Sequence, residues 1–74
     1  MDDREKQTIL GYDVKALRVN IKRRKKEIKT LVKLIKRGAK HSEVFQAEIK
    51  KAKEDITTLN SYIKLIEEAK KNGN

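Results

Sequence analysis

The sequence predicts an all-α fold, an antiparallel two-helix hairpin of coiled-coil type, and three observations lead there. Proline is absent, glycine is confined to positions 11, 38 and 73, and Lys, Ile, Leu and Glu abound. That composition favours helix nearly throughout. Apolar residues recur at alternating steps of three and four in two stretches separated by Gly38, so each stretch carries one apolar edge when helical. The two edges match one another when the chain is folded back at Gly38.

The opening stretch, MDDREKQTILGYD, begins with acids, which suit the positive end of a helix dipole. Asp2 or Asp3 is a candidate N-cap, and Asp13 is a second one for a helix that starts at Val14. Gly11 weakens the helix between them by about 1 kcal/mol relative to alanine, yet Leu10 continues the apolar edge one step back from Val14. The expectation is one helix over residues 3–37, kinked or frayed near Gly11.

Residues 14–37 hold the pattern around which the chain is organised. Val14, Leu17, Ile21, Ile28, Leu31 and Ile35 form the apolar edge, while lysines at 15, 22, 26, 29, 33 and 36 repeat at the same spacing on the other side. Gly38 should end this helix, with Lys36 and Arg37 in its last turn. A loop over 38–41 follows. Ser42 is the candidate N-cap of the second helix, which runs to about residue 71 and leaves Asn72, Gly73 and Asn74 as a tail.

The second helix has the edge Phe45, Ile49, Ala52, Ile56, Leu59, Ile63 and Ile66. Turned back at the loop, Ile35 meets Phe45, Leu31 meets Ile49, and Ile28 meets Ala52. Further along, Ile21 meets Leu59, Leu17 meets Ile63, and Val14 meets Ile66. One register serves the whole length, as antiparallel packing of a and d positions requires. Arg24 is the one polar residue in the strip, opposite Ile56. Its stem can pack there while its guanidinium reaches out to Glu27 and Asp55; a register device or an anion contact is the functional alternative. Lys25 and Lys53 should face each other across the opposite flank, a repulsion that costs little at a screened surface and that an acidic partner would relieve.

A single domain over residues 1–74 buries little with two helices alone. Apolar residues off the strip, Leu34, Tyr62, Leu65 and Ala69, form a second edge. That edge predicts an interface, most simply a homodimer arranged as a four-helix bundle, or else a monomeric hairpin docked on a larger protein.

The net charge of +9 is unevenly placed. Residues 1–13 hold two basic and four acidic groups, residues 14–40 twelve basic groups against Glu27 alone, and residues 41–74 six of each sign. The whole excess therefore belongs to the first long helix. Solvated helix faces usually mix lysine with glutamate, as the second helix does, and so concentrated a charge repels itself. The candidate polyanion-binding residues are Lys15, Arg18, Lys22, Arg23, Lys25, Lys26, Lys29, Lys33, Lys36 and Arg37. The aromatics, Tyr12, Phe45 and Tyr62, all lie outside this stretch, which argues against stacking on single-stranded bases. Lysine outnumbers arginine on the outer face, so bidentate reading of guanine edges is not the obvious mode. Phosphate contact on duplex DNA or structured RNA fits better. The segment IKRRKKEIK resembles a nuclear-import patch, a match common among basic helices. The architecture is similar in shape to small nucleic-acid-associated helical hairpins, a likeness that transfers no residue roles.

Other chemistry finds no foothold. His41 is the sole histidine and falls in the loop; there is no cysteine, no serine–histidine–acid set, no metal-ligand spacing and no glycine-rich phosphate loop. The sequence reading is therefore no enzyme, no cofactor and no metal. The longest apolar run is two residues, too short for a membrane span or a signal-peptide core, so a cytoplasmic protein without membrane contact is expected. The leading expectation is a small nucleic-acid-binding or regulatory protein. Its alternative is an adaptor or inhibitor of phage or mobile-element type that sets the same basic face against an acidic surface of a larger protein.

Overall fold

A computed structural model describes residues 2–73 and is all-helical, with three helices in the order α1 (Asp3–Leu10), α2 (Val14–Lys36) and α3 (Ser42–Gly73). A plain two-helix hairpin is therefore not the architecture. The single helix expected over 3–37 is two helices, separated by Gly11, Tyr12 and Asp13.

The reason for the break lies at Asp13 more than at Gly11. Gly11 keeps ordinary right-handed torsions, φ −84° and ψ −6°, and a Cβ placed on it would sit 3.4 Å from the Thr8 carbonyl, an ordinary contact. Asp13 is extended, φ −82° and ψ 116°, and its carboxylate accepts the Lys15 backbone N–H at 3.1 Å. An N-cap aspartate that satisfies one orphan donor of a new helix holds its own backbone out of the helix. Asp2 does the same for α1, accepting from the Arg4 N–H at 2.9 Å.

Between α2 and α3 the chain turns through a Schellman arrangement. The Ala39 N–H bonds the Leu34 carbonyl at 3.1 Å and the Gly38 N–H bonds the Ile35 carbonyl at 3.0 Å, with Gly38 at φ 78°, the left-handed torsion that this motif places on glycine. Ser42 is not the cap of α3 but its first residue. The cap position passes to His41, whose carbonyl accepts from the Val44 N–H at 3.0 Å, and which sits at φ 63°, unusual for a non-glycine residue. At the far end α3 includes Asn72 and Gly73, expected as tail; Asn74 lies outside the described residues.

α3 packs against both other helices. Early α2 lies beside late α3, since Arg18 reaches Glu67 at 3.2 Å while Arg24, further along, reaches Asp55 at 3.8 Å. The core cluster joins Ile9 of α1, Leu17 and Ile21 of α2, and Ile63 and Ile66 of α3, with Val14, Ile56, Leu59, Tyr62 and Leu65 packed on it. Ile21 and Leu59 thus share one core. Ile9 was not expected there. A continuous helix would have turned Leu10 inward, but the break at Asp13 resets the helical phase, and Ile9 is buried while Leu10 stays half-buried.

Leu31 and Ala52 are buried nearer the α2–α3 turn, where no third helix lies over them. The molecule is a slab of 52 × 22 × 14 Å with a radius of gyration of 15.8 Å, against about 11 Å for a compact chain of this length. Among the described residues no side chain is sealed completely; the deepest, Ala52 and Ile66, keep 3% of their surface exposed.

Candidate nucleic-acid interface

α2 owes its charge display to the same periodicity that buries its other side. With Leu17, Ile21 and Leu31 inward, the residues one and two positions away from each of them turn outward or to the flanks. Every basic residue singled out by the sequence, from Lys15 to Arg37, is exposed. Arg24 alone among the basic residues of α2 is half-buried.

The ion pairs divide these residues into groups. Arg24 donates from Nη1 to Glu27 Oε2 at 3.2 Å, and its Nε lies 3.8 Å from Asp55 Oδ2. The strip arginine thus reaches out to the two acids anticipated for it, and it separates two carboxylates that would otherwise face each other. Arg18 is bound to Glu67. Among the described residues, no carboxylate lies within ion-pair distance of Lys15, Lys22, Lys25, Lys26, Lys29, Lys33 or Lys36. Lys22, Lys26, Lys29, Lys33 and Lys36 stand three or four apart, so their four successive like-charge contacts cost the isolated helix roughly 1–2 kcal/mol in sum. Arg23 and Arg37 belong elsewhere. Both are exposed, and they lie on the flank of α2 that carries Glu27, four residues from Arg23.

The residues expected at an interface are only partly free. Tyr62 stacks at a tilt on Tyr12, ring centroids 5.9 Å apart, and Tyr62 and Leu65 both pack on the core cluster that includes Ile9. Leu34 and Ala69 are half-buried. The apolar edge that the sequence offered to a partner is therefore met in part from within the chain, because α1 crosses over α3 there. Near the turn, Val44 remains 52% exposed beside half-buried Phe45.

Among the described residues, no group of three or more histidine, cysteine or acidic side chains is placed to hold a metal ion, and no helix is long and apolar enough to cross a membrane. No protein-family model matches the chain, and neither the curated proteins nor the solved structures yield a match.

Proposed function

We propose that this chain is a small non-enzymatic nucleic-acid-binding protein that docks the basic side of α2 on the phosphates of duplex DNA or structured RNA. The observation that carries this reading is the run of exposed α2 lysines with no carboxylate beside them among the described residues. A helix that bears such self-repulsion is stabilised by whatever polyanion neutralises it. Lysine heads on flexible stems, with no aromatic among them, suit phosphates better than base edges or unstacked bases. The binding is therefore sequence-tolerant and sensitive to salt.

In the same reading α2 and α3 pair as an antiparallel coiled-coil-like hairpin in the single register described above. Two copies associate through the apolar surface near the turn, where Leu34 and Val44 lie beyond the reach of α1. A slab 14 Å thick gains most from such a second layer. Light scattering on the 8.6 kDa chain should return twice the monomer mass; a monomer mass rejects the dimer and leaves the nucleic-acid reading standing.

The functional test is a titration of duplex DNA and structured RNA into wild type and into K22E/K26E/K29E/K33E. Wild type should bind both, and the variant should lose affinity by about a hundredfold or more at low salt. Equal binding by the two would end the reading. If wild type binds neither nucleic acid even at low salt, the acidic surface of a larger protein becomes the partner for this face.

A further inference from the structure

The outer side of α2 is a ridge whose crest is not all charge. At about 100° per residue, Val19, Lys26 and Thr30 fall along one line of the helix, opposite the buried Leu17, Ile21 and Leu31. Lys22 and Lys29 lean from that line down one slope. Arg23 leans down the other, where Glu27 lies lower and is held by Arg24. All of the crest and slope cations are exposed. α1 packs on α3 and makes no contact with α2 among the described residues, so it does not overhang the ridge.

Val19 and Thr30 are the exceptions on this crest. Val19 is 53% exposed. Thr30 is exposed as well, and its hydroxyl donates to the Lys26 carbonyl at 3.2 Å, so it is already engaged within the helix. Both are β-branched and therefore weaker helix formers than the lysines around them. What they share is a short, uncharged side chain that carries methyl groups. Side-chain length then separates two kinds of contact. A crest lysine has a long flexible stem and can swing its ammonium to either slope. Valine and threonine cannot leave the crest, and they touch whatever faces it.

We infer that α2 lies crest-down in the major groove of duplex DNA, with its cations reaching the phosphates on the two banks and Val19 and Thr30 set against thymine methyl groups on the floor. This rests on the nucleic-acid reading above and narrows it from duplexes in general to B-form DNA. The major groove of B-DNA is about 12 Å wide and admits one helix, and each A·T pair displays the thymine methyl there. Duplex RNA closes that route, because the major groove of an A-form helix is deep and narrow, and its uracil lacks the methyl group. Phosphate contacts still supply most of the affinity; the methyl contacts add a small preference.

Three labelled duplexes of equal length separate these contributions by fluorescence anisotropy. They are an alternating AT duplex DNA, the same DNA with deoxyuridine in place of thymidine, and the corresponding AU duplex RNA. The first two differ only in the methyl group, the last two in the sugar and hence in helix form. Wild type should bind the AT DNA most tightly, the deoxyuridine DNA about threefold more weakly, and the RNA about tenfold or more weakly than the AT DNA. V19A/T30S should bind the two DNAs alike and still prefer them to RNA. V19A alone, a change that favours helix, should lose part of the methyl discrimination, which covers the case in which the double variant fails to fold by circular dichroism. If wild type binds the two DNAs equally, or binds DNA and RNA equally, the crest does not face a groove floor and this inference falls. The nucleic-acid reading survives that result provided K22E/K26E/K29E/K33E still weakens binding. A wild type that binds no duplex at low salt overturns both.

Discussion

Arg24 interrupts an otherwise apolar strip, and its surroundings explain why a cation is tolerated there. Its head meets Glu27 and Asp55, an arrangement legible in the sequence because heptad positions fix which side chains flank the strip. The two caps, Asp2 and Asp13, were legible for a similar local reason: an aspartate that precedes a periodic run has a backbone donor within reach. His41 was not legible. Nothing in the residue itself asks for a left-handed torsion; the short connection between α2 and α3 imposes it. Gly38 and His41 share that geometry, φ 78° and φ 63°, but only one of them is suited to it. Gly38→Ala should lower stability by about 1 kcal/mol although its Cβ would meet nothing within 4 Å, because the cost is in the backbone. His41→Gly should instead raise stability, by up to about 1 kcal/mol. Urea unfolding of both variants checks the pair. Shifts of the same sign would mean that the turn is not built this way.

At the scale of the element, α1 separates what the pattern specifies from what the fold decides. Residues 14–37 and 42–71 have long, strongly periodic apolar edges, and α2 and α3 occupy them. The stretch before Val14 offers cap candidates at Asp2 or Asp3 and at Asp13, one glycine and two adjacent apolar residues, Ile9 and Leu10. Which of those two turns inward depends on whether the helix continues through Asp13, and a strip pattern cannot report a change of phase. For the same reason the edge formed by Tyr62 and Leu65 looked vacant: its cover comes from a helix too short to carry a pattern of its own. The cap at Asp13 should therefore govern the break. Asp13→Ala should cost about 1 kcal/mol, whereas Gly11→Ala, at right-handed torsions with room for a Cβ, should be neutral or stabilising by up to about 1 kcal/mol. Thermal melts of the two variants would decide it; a large loss in Gly11→Ala with none in Asp13→Ala would place the break on the glycine instead.

For the molecule as a whole, two facts combine. The core is thin, with one cluster where α1 lies over the slab and only Leu31 and Ala52 buried nearer the turn. The charge is concentrated, with exposed lysines along α2 that have no carboxylate within ion-pair distance among the described residues. The sequence revealed the excess of charge on α2, because twelve basic residues stand against Glu27 alone over residues 14–40. Burial that thin would gain little from tolerating a repulsive face without a ligand to offset it. Phosphate contact releases condensed counterions in proportion to the number of phosphates neutralised, with a slope of about −0.9 per contact. The most direct measurement is the salt dependence of duplex binding by the intact wild-type chain. A face of this size should give a log–log slope of about −5 or steeper; a slope near zero, with binding unchanged as salt rises, would contradict the account.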